Sequence, residues 1–330
     1  MEKVGVKKFV GRSEFPVLCA VIGLGIIFTI ASSNFLSAYN IYNVSRTASL
    51  YMFIALSQAM VIIVGGMNLS LGFIGGLSVV AVGYVLQELG LPSSVAFSAG
   101  ILVGILTGLI NGLLIVKLKL NSFVVTLATS FVYKGLVTGI SKGFPYTEIP
   151  DSFTALGRGR FLGLPMMFYL AMVTLVFVWY FFRYTVSGRK LLATGGNEVA
   201  ARMAAVNTDK SIVIANILSG VFAALAGICA VSMSSSAQPT TGADWMIYSF
   251  AVAVIGGTAL CGGVINPGGI CIAAFLIVMI KNGLVMINAN YYYEQTYLGL
   301  ILLLAVSLTT ISQMVREKKK RMEFVREQKK

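Results

Sequence analysis

Gly65-Gly66-Met67-Asn68-Leu69-Ser70-Leu71-Gly72 sets three glycines and two polar side chains between two long apolar windows. Glycine weakens a helix and exposed polar groups are costly in hydrocarbon, so the stretch reads as a helix broken at membrane depth. Such a break is tolerated where it is buried in protein or lines a cavity, which makes it a candidate pathway element. The stretch Gly256-Gly257-Thr258-Ala259-Leu260-Cys261-Gly262-Gly263 fits the same G-G-x-x-L-x-x-G pattern 191 residues later. Ordinary tight turns between spans would also produce both stretches. Paired Gly-interrupted segments in two halves of a chain are equally the pattern of an internal pseudo-repeat around a translocation path.

The 330 residues are 57% hydrophobic and only 11% charged, with a mean hydropathy of +0.86. An ordinary globular domain carries about 25% charged residues, so lipid must be the solvent for much of this chain. A soluble enzyme is excluded. The net charge of +13 does not point to nucleic acid, because long apolar stretches separate the basic residues. Histidine is absent, which removes His-based metal sites, general bases and proton relays. Cys19, Cys229, Cys261 and Cys271 contain no C-x-x-C pair and read as small core residues.

A spanning helix needs about 20 mainly apolar residues. About ten windows qualify: 16–36, 46–65, 71–89, 94–116, 123–140, 162–182, 211–231, 245–264, 269–287 and 297–314. Cytoplasmic loops hold the excess of Lys and Arg, so the basic residues set the orientation. With the amino terminus inside, the inner segments hold Lys3, Lys7, Lys8 and Arg12, then Lys117 and Lys119, then Arg183, Arg189, Lys190, Arg202 and Lys210, and eight more from Arg316 to Lys330. That places 19 of 25 on one side and favours an even number of spans with both termini cytoplasmic. The Lys-rich start followed by an apolar run reads as an uncleaved first helix, since the run exceeds the roughly 7–15 residues of a secretory signal. One membrane-spanning domain over 1–330 is expected, with a cytoplasmic amino terminus at 1–14, a cytoplasmic loop at 183–210 and a charged cytoplasmic tail at 315–330.

Two further patterns carry mechanism. Gly100, Gly104, Gly108 and Gly112 recur every fourth residue, which places them on one helix face where another backbone can approach closely. The inner loop from Gly188 and Arg189 through Gly195, Gly196, Asn197, Glu198, Ala200, Ala201 and Arg202 to Val206 reads as a loop, an Asn197 cap and a short amphipathic helix. Span connection alone explains a short cytoplasmic helix poorly; a docking surface for a partner is the sharper explanation.

The order of these motifs resembles the permease subunits of bacterial ABC importers of the ribose/galactose/xylose type, over about 47–312. The resemblance rests on Gly65–Gly72, similar to the family's G-G-[ILM]-D-L-S-V-G, on Asn111-Gly112 with Phe123-Val124-Val125-Thr126-Leu127, on the Gly188–Val206 loop, and on Ile255-Gly256-Gly257-Thr258 with Gly262-Gly263. It implies an all-α integral membrane bundle of about ten transmembrane helices, with broken helices and a candidate pseudo-repeat, of the type II ABC importer kind. It further implies a bacterial cytoplasmic (inner) membrane location. Gly188, Arg189, Gly195, Gly196, Asn197, Glu198, Ala200, Ala201 and Arg202 would couple to an ATPase. Gly65, Gly66, Asn68, Ser70, Gly72, Gly256, Gly257 and Thr258 would lie near the translocation path. The implied partners are ABC ATPase subunits carrying ATP and Mg, an extracytoplasmic solute-binding protein, and a second permease chain, identical or paralogous; no cofactor or metal is expected on this chain.

Three positions depart from the family pattern: Asn68 replaces its usual Asp, Ala205 its usual Gly, and Met246 stands where an acidic residue is expected, with Asp244 the nearest carboxylate. The resemblance implies five- or six-carbon sugars as solute, with polyols, furanone-type signals and nucleosides as alternatives. No G-x-x-x-x-G-K-[ST] run occurs, so ATP hydrolysis must come from a partner. An ion-coupled secondary transporter would show ionisable residues in its spans, and only Lys134, Lys281 and Asp244 come close. A membrane enzyme would need paired carboxylates or His within a span, and neither is present.

Overall fold

The computed structural model describes residues 14–287 and, beyond them, only positions 293, 296, 297, 299, 300 and 303. The chain runs α1 (Glu14–Ala31), α2 (Ala38–Ile62), and α3 (Leu71–Gly83), which continues as a π-helical turn over Tyr84–Glu88. It continues through α4 (Ser93–Leu118), α5 (Ser122–Ser141), the short α6 (Asp151–Arg158) and a two-residue antiparallel hairpin of β1 (Arg160–Phe161) and β2 (Leu164–Pro165). Then come α7 (Met166–Tyr184), α8 (Val186–Gly196), α9 (Glu198–Met203), α10 (Thr208–Ser234), α11 (Trp245–Ile255) and α12 (Pro267–Met286). Six helices among the described residues are long and apolar enough to cross a membrane: Leu71–Glu88, Ser93–Leu118, Ser122–Ser141, Met166–Tyr184, Thr208–Ser234 and Pro267–Met286. The chain is a multi-pass membrane protein.

Helix ends follow local chemistry. Side chains of Ser37, Asn121, Thr185, Asn197, Asn207 and Asn266 each accept a hydrogen bond from a first-turn amide of α2, α5, α8, α9, α10 and α12. Each cap satisfies an amide that the first turn of a helix leaves without an intrahelical partner. α4, α5 and α10 stop where Lys119, Lys142 and Ser235 turn left-handed.

α2 and α10 form the centre. α2 buries Met52, Phe53, Ile54, Leu56 and Met60 completely, and α10 packs on α2, α3, α4 and α6. α5 buries one stripe containing Val125, Thr126, Tyr133 and Val137 while exposing Phe123, Val124, Phe131 and Val132. Exposed apolar side chains on that scale suit acyl chains.

The four glycines of α4 lie against neighbouring helices. A Cβ at Gly104 would strike the Gly220 carbonyl oxygen, one at Gly108 the Asn216 carbonyl oxygen, and one at Gly112 would sit 2.8 Å from Val213 Cα. Gly100 faces Ser78, Val82 and Ile228. Lipid tails are as apolar as leucine, so helices in a membrane gain little from hydrophobic burial and associate by such close backbone packing.

Several expectations are corrected. The window at 245–264 is not one helical crossing: α11 ends at Ile255, and at about 1.5 Å per residue its 11 residues cover only half a bilayer core. The reason is local, since Gly256 caps the helix and Gly257, next in the chain, takes a positive φ. Gly188–Gly196, read as loop, is helical in α8. α2 starts earlier than the window at 46–65, because Ser37 caps it and Asn40 is held by the Phe35 carbonyl and Asn282. The polar stretch between α5 and α7 folds into α6 and the β1–β2 hairpin. The tail 315–330, residues 1–13, and most of the window at 297–314 lie outside the described residues.

Candidate functional site

The break after α2 begins at Gly65, whose φ of +81° favours glycine. Its backbone amides and carbonyls need partners, and α5 supplies them. Ser122 Oγ accepts from Met67 N at 3.0 Å, Thr126 Oγ1 accepts from Leu69 N at 3.1 Å, and Thr126 Oγ1 lies 3.1 Å from the Met67 carbonyl oxygen. Ser122 and Thr126 are four apart and therefore on one helix face.

Asn68 and Ser70 are buried within this single chain. Asn68 Oδ1 accepts from Ser70 N at 2.9 Å and from Ser70 Oγ at 2.8 Å, while Asn68 Nδ2 donates to Ser219 Oγ at 2.9 Å. Asn111 Nδ2 donates to Ser70 Oγ at 2.9 Å, and Tyr133 OH lies 3.1 Å from Asn111 Oδ1. Ser57 Oγ donates to the Ser219 carbonyl at 2.8 Å. This polar chain ties α2, α3, α4, α5 and α10 together. An amide at 68 uses its acceptor and its donor at once, whereas a carboxylate there would bury a charge among hydroxyls.

The second break, from Gly256 to Asn266, reaches the same end of the molecule. Gly263 N donates to the Ile63 carbonyl at 3.0 Å, joining the two breaks directly. Thr258 is buried, and its hydroxyl has no partner among the described residues. Gly72 and Gly256 are packing positions: a Cβ at Gly72 would strike the Gly242 carbonyl oxygen, and one at Gly256 would sit 2.7 Å from Ile270 N.

The loop 183–210 docks onto this junction. A Cβ at Gly195 would run into the Ile63 carbonyl oxygen and sit 2.8 Å from Gly263 N, so only glycine lets α8 lie there. Gly196 has nothing within 4 Å. A Cβ at Gly188 would strike the Phe181 carbonyl oxygen, at the tight turn from α7 into α8. Asn197 Oδ1 accepts from Ala200 N at 2.9 Å and starts α9. Arg202 bridges Glu198 and Asp209, both at 2.9 Å. Ala201 is buried, while Val199 and Met203 are 69% and 86% exposed. Being four apart they form one apolar face of α9. Ala205 takes a left-handed φ of 58°.

A cavity of about 630 Å³ is lined by Gly65 and Gly66 of the expected path residues and by Glu198 and Arg202 of the expected coupling residues; Asn68, Ser70, Gly72, Gly256, Gly257 and Thr258 do not line it. Gly65 and Gly66 from the first break line one side, and Glu198, Arg202 and Asp209 another. Ser122 and Asn216 complete a polar wall, and the Asn216 Oδ1 acceptor is buried without a partner among the described residues. Sequence reasoning missed Ser122, Thr126, Ser219, Val199 and Met203. The i, i+4 hydroxyls of α5 were the available signal for the first two; nothing local marked Ser219.

A profile described as "Branched-chain amino acid transport system / permease component" matches residues 40–306. The ribose import permease of Escherichia coli strain K12 is 32% identical over 297 residues, covering 89% of this chain and 92% of that protein. The ribose import permease of Bacillus subtilis strain 168 is 36% identical over 287 residues, covering 86% and 89%. An autoinducer 2 import system permease of Photorhabdus luminescens is 31% identical over 306 residues, covering 91% of each chain. No solved structure matches significantly.

Proposed function

Given that this chain belongs to the branched-chain amino acid transport system / permease component family, we propose that it is the membrane-spanning permease subunit of an ATP-driven importer for a small polar solute, most simply a sugar. The cavity of about 630 Å³ carries this reading, because one space is bordered both by the glycine-broken segment and by the cytoplasmic loop. A rearrangement driven at α9 would reach the path through Glu198, Arg202 and the Gly195–Ile63 contact without any chemistry on this chain. The lining balances Lys119 and Arg202 against Glu198 and Asp209, a neutral and hydrogen-bonding environment suited to an uncharged polyhydroxyl solute.

The basic end, with Lys117, Lys119, Arg183, Arg189, Lys190, Arg202 and Lys210, faces the cytoplasm in this reading. Both termini lie there in this reading, in the inner membrane of a bacterium. ATPase subunits carrying ATP and Mg take the 183–210 loop, and the partner-facing contact is the Val199–Met203 face, with Glu198 and Arg202 bracing α9 from behind. A solute-binding protein delivers from the opposite end, and a second permease chain completes the path.

The test is a complex of this chain with its ATPase and binding protein in proteoliposomes. Met203→Asp should abolish uptake and stimulated ATP hydrolysis while the chain still inserts and assembles with lipid, and Val199→Asp should do the same. Full uptake in Met203→Asp would remove the docking assignment. Uptake that needs no ATPase partner but collapses with the proton gradient would remove the importer reading altogether.

A further inference from the structure

A second cavity, of about 680 Å³, lies at the same basic end on the outer flank of the molecule, where α7 and α8 meet the start of α12. Arg183 and Arg189 line it with Trp179, Tyr184, Asn266 and Pro267, and none of its lining residues is acidic. Among the described residues the salt bridges are those of Arg202, so neither arginine is neutralised by a carboxylate. Arg189 Nη1 donates to the Tyr184 carbonyl at 3.2 Å, which holds its guanidinium over the end of α7 and leaves its other N–H groups available.

Below the arginines the surface changes character in a fixed order. Trp179, Tyr180 and Tyr184 form a half-exposed aromatic cluster, with Trp179 and Tyr184 edge to face at 5.6 Å. Further along α7, Val173, Val176 and Phe177 are each at least 60% exposed. At about 1.5 Å per residue, Arg183 and Val173 are roughly 15 Å apart along the helix, the depth of one leaflet's hydrocarbon. Cationic groups above, an aromatic belt between and an apolar wall below complement an anionic headgroup continued by acyl chains. A soluble phosphate compound would have no use for the apolar wall.

We propose that this groove binds one anionic phospholipid, with its phosphate held by Arg183 and Arg189 and its acyl chains along α7. The bound headgroup pins α8, whose far end carries Gly195 against Ile63 and Gly263, so the lipid braces the element that reaches the cavity. This reading depends on membrane embedding and is independent of which solute is carried.

The chain has two tryptophans, Trp179 and Trp245, so W245F leaves Trp179 as a reporter in the groove. In nanodiscs of phosphatidylcholine holding the full chain, brominated phosphatidylglycerol should quench Trp179 at mole fractions at least tenfold below those needed for brominated phosphatidylcholine. Two arginines at about 1 kcal/mol each correspond to about thirtyfold, so R183Q/R189Q should erase the preference and R183Q alone should reduce it about fivefold. R183K/R189K keeps both charges and should retain most of it, which separates loss of charge from loss of fold. Equal quenching by the two lipids, or a preference that survives R183Q/R189Q, overturns the proposal. Relief of quenching by millimolar glycerol 3-phosphate would assign the site to a soluble phosphate and overturn the lipid.

Discussion

Gly195 and Gly196 are adjacent in sequence and opposite in environment, which makes them a paired experiment on the junction between α8 and the two broken segments. A methyl at Gly195 would overlap the Ile63 carbonyl oxygen and sit 2.7 Å from the Ile63 carbonyl carbon and 2.8 Å from Gly263 N. Ordinary carbon contacts need about 3.5–4.0 Å, so α8 must withdraw by roughly 1 Å or more. Overpacking of that size costs about 1–3 kcal/mol. If Ile63 moves instead, the 3.0 Å bond it accepts from Gly263 N is lost, leaving a poorly hydrated amide at about 1–3 kcal/mol. Gly195→Ala should therefore weaken docking of α8 by about 1–3 kcal/mol by either route, about 5- to 150-fold in the docked-to-undocked ratio. Gly196→Ala meets nothing within 4 Å and should be neutral or slightly stabilising, since alanine is the better helix former. ATP hydrolysis stimulated by the binding protein, measured on the assembled complex, should fall more than twofold for Gly195→Ala and stay within twofold for Gly196→Ala. Thermal unfolding of the solubilised chain should rank the two variants in the same order. Indistinguishable variants would refute the reasoning, because the contact that separates them would then carry no load.

Three further outcomes follow from single sites. Ala205 holds a left-handed φ that costs a non-glycine residue about 1–2 kcal/mol, so Ala205→Gly should raise the unfolding temperature; a lowered value would show that α9 does not end as described. Asn40 and Asn282 exchange reciprocal amide hydrogen bonds at 2.9 and 2.8 Å, locking α2 to α12, and a double-mutant cycle to alanine should give a coupling of about 0.5–1.5 kcal/mol; additive losses would dismiss the pair. Gly104→Leu should force α4 off α10 and abolish folded protein in a detergent stability assay, whereas Gly23→Leu, with nothing within 4 Å of its would-be Cβ, should be tolerated; tolerance of both would contradict the close α4–α10 approach.

The sequence carried the membrane class, the family and the existence of both glycine-broken stretches, because each is a local property: apolar length, composition, or residue types within eight positions. It carried the Asn197 cap of α9 for the same reason, since a cap is decided by residues three apart. It misjudged α8, where Gly195 and Gly196 looked like loop residues. Glycine at those positions answers two different demands, close approach at one and none at the other, and only the partner backbone distinguishes them. It also misjudged the window at 245–264, because hydropathy counts apolar residues and is blind to the positive φ at Gly257, just past the point where the helix stops halfway.

By itself the sequence determined that this chain lives in lipid, which end is basic, and where its helices must be interrupted, since solvation and backbone conformational freedom act residue by residue. Tertiary structure alone decided that the two interruptions, 191 residues apart, hydrogen-bond to each other, that Gly195 closes over them, and that Asn68 hands its two amide ends to Ser70 and Ser219. The physical reason is that a broken helix in a membrane must find partners for its exposed backbone groups without water, and those partners lie on other helices that no local pattern announces.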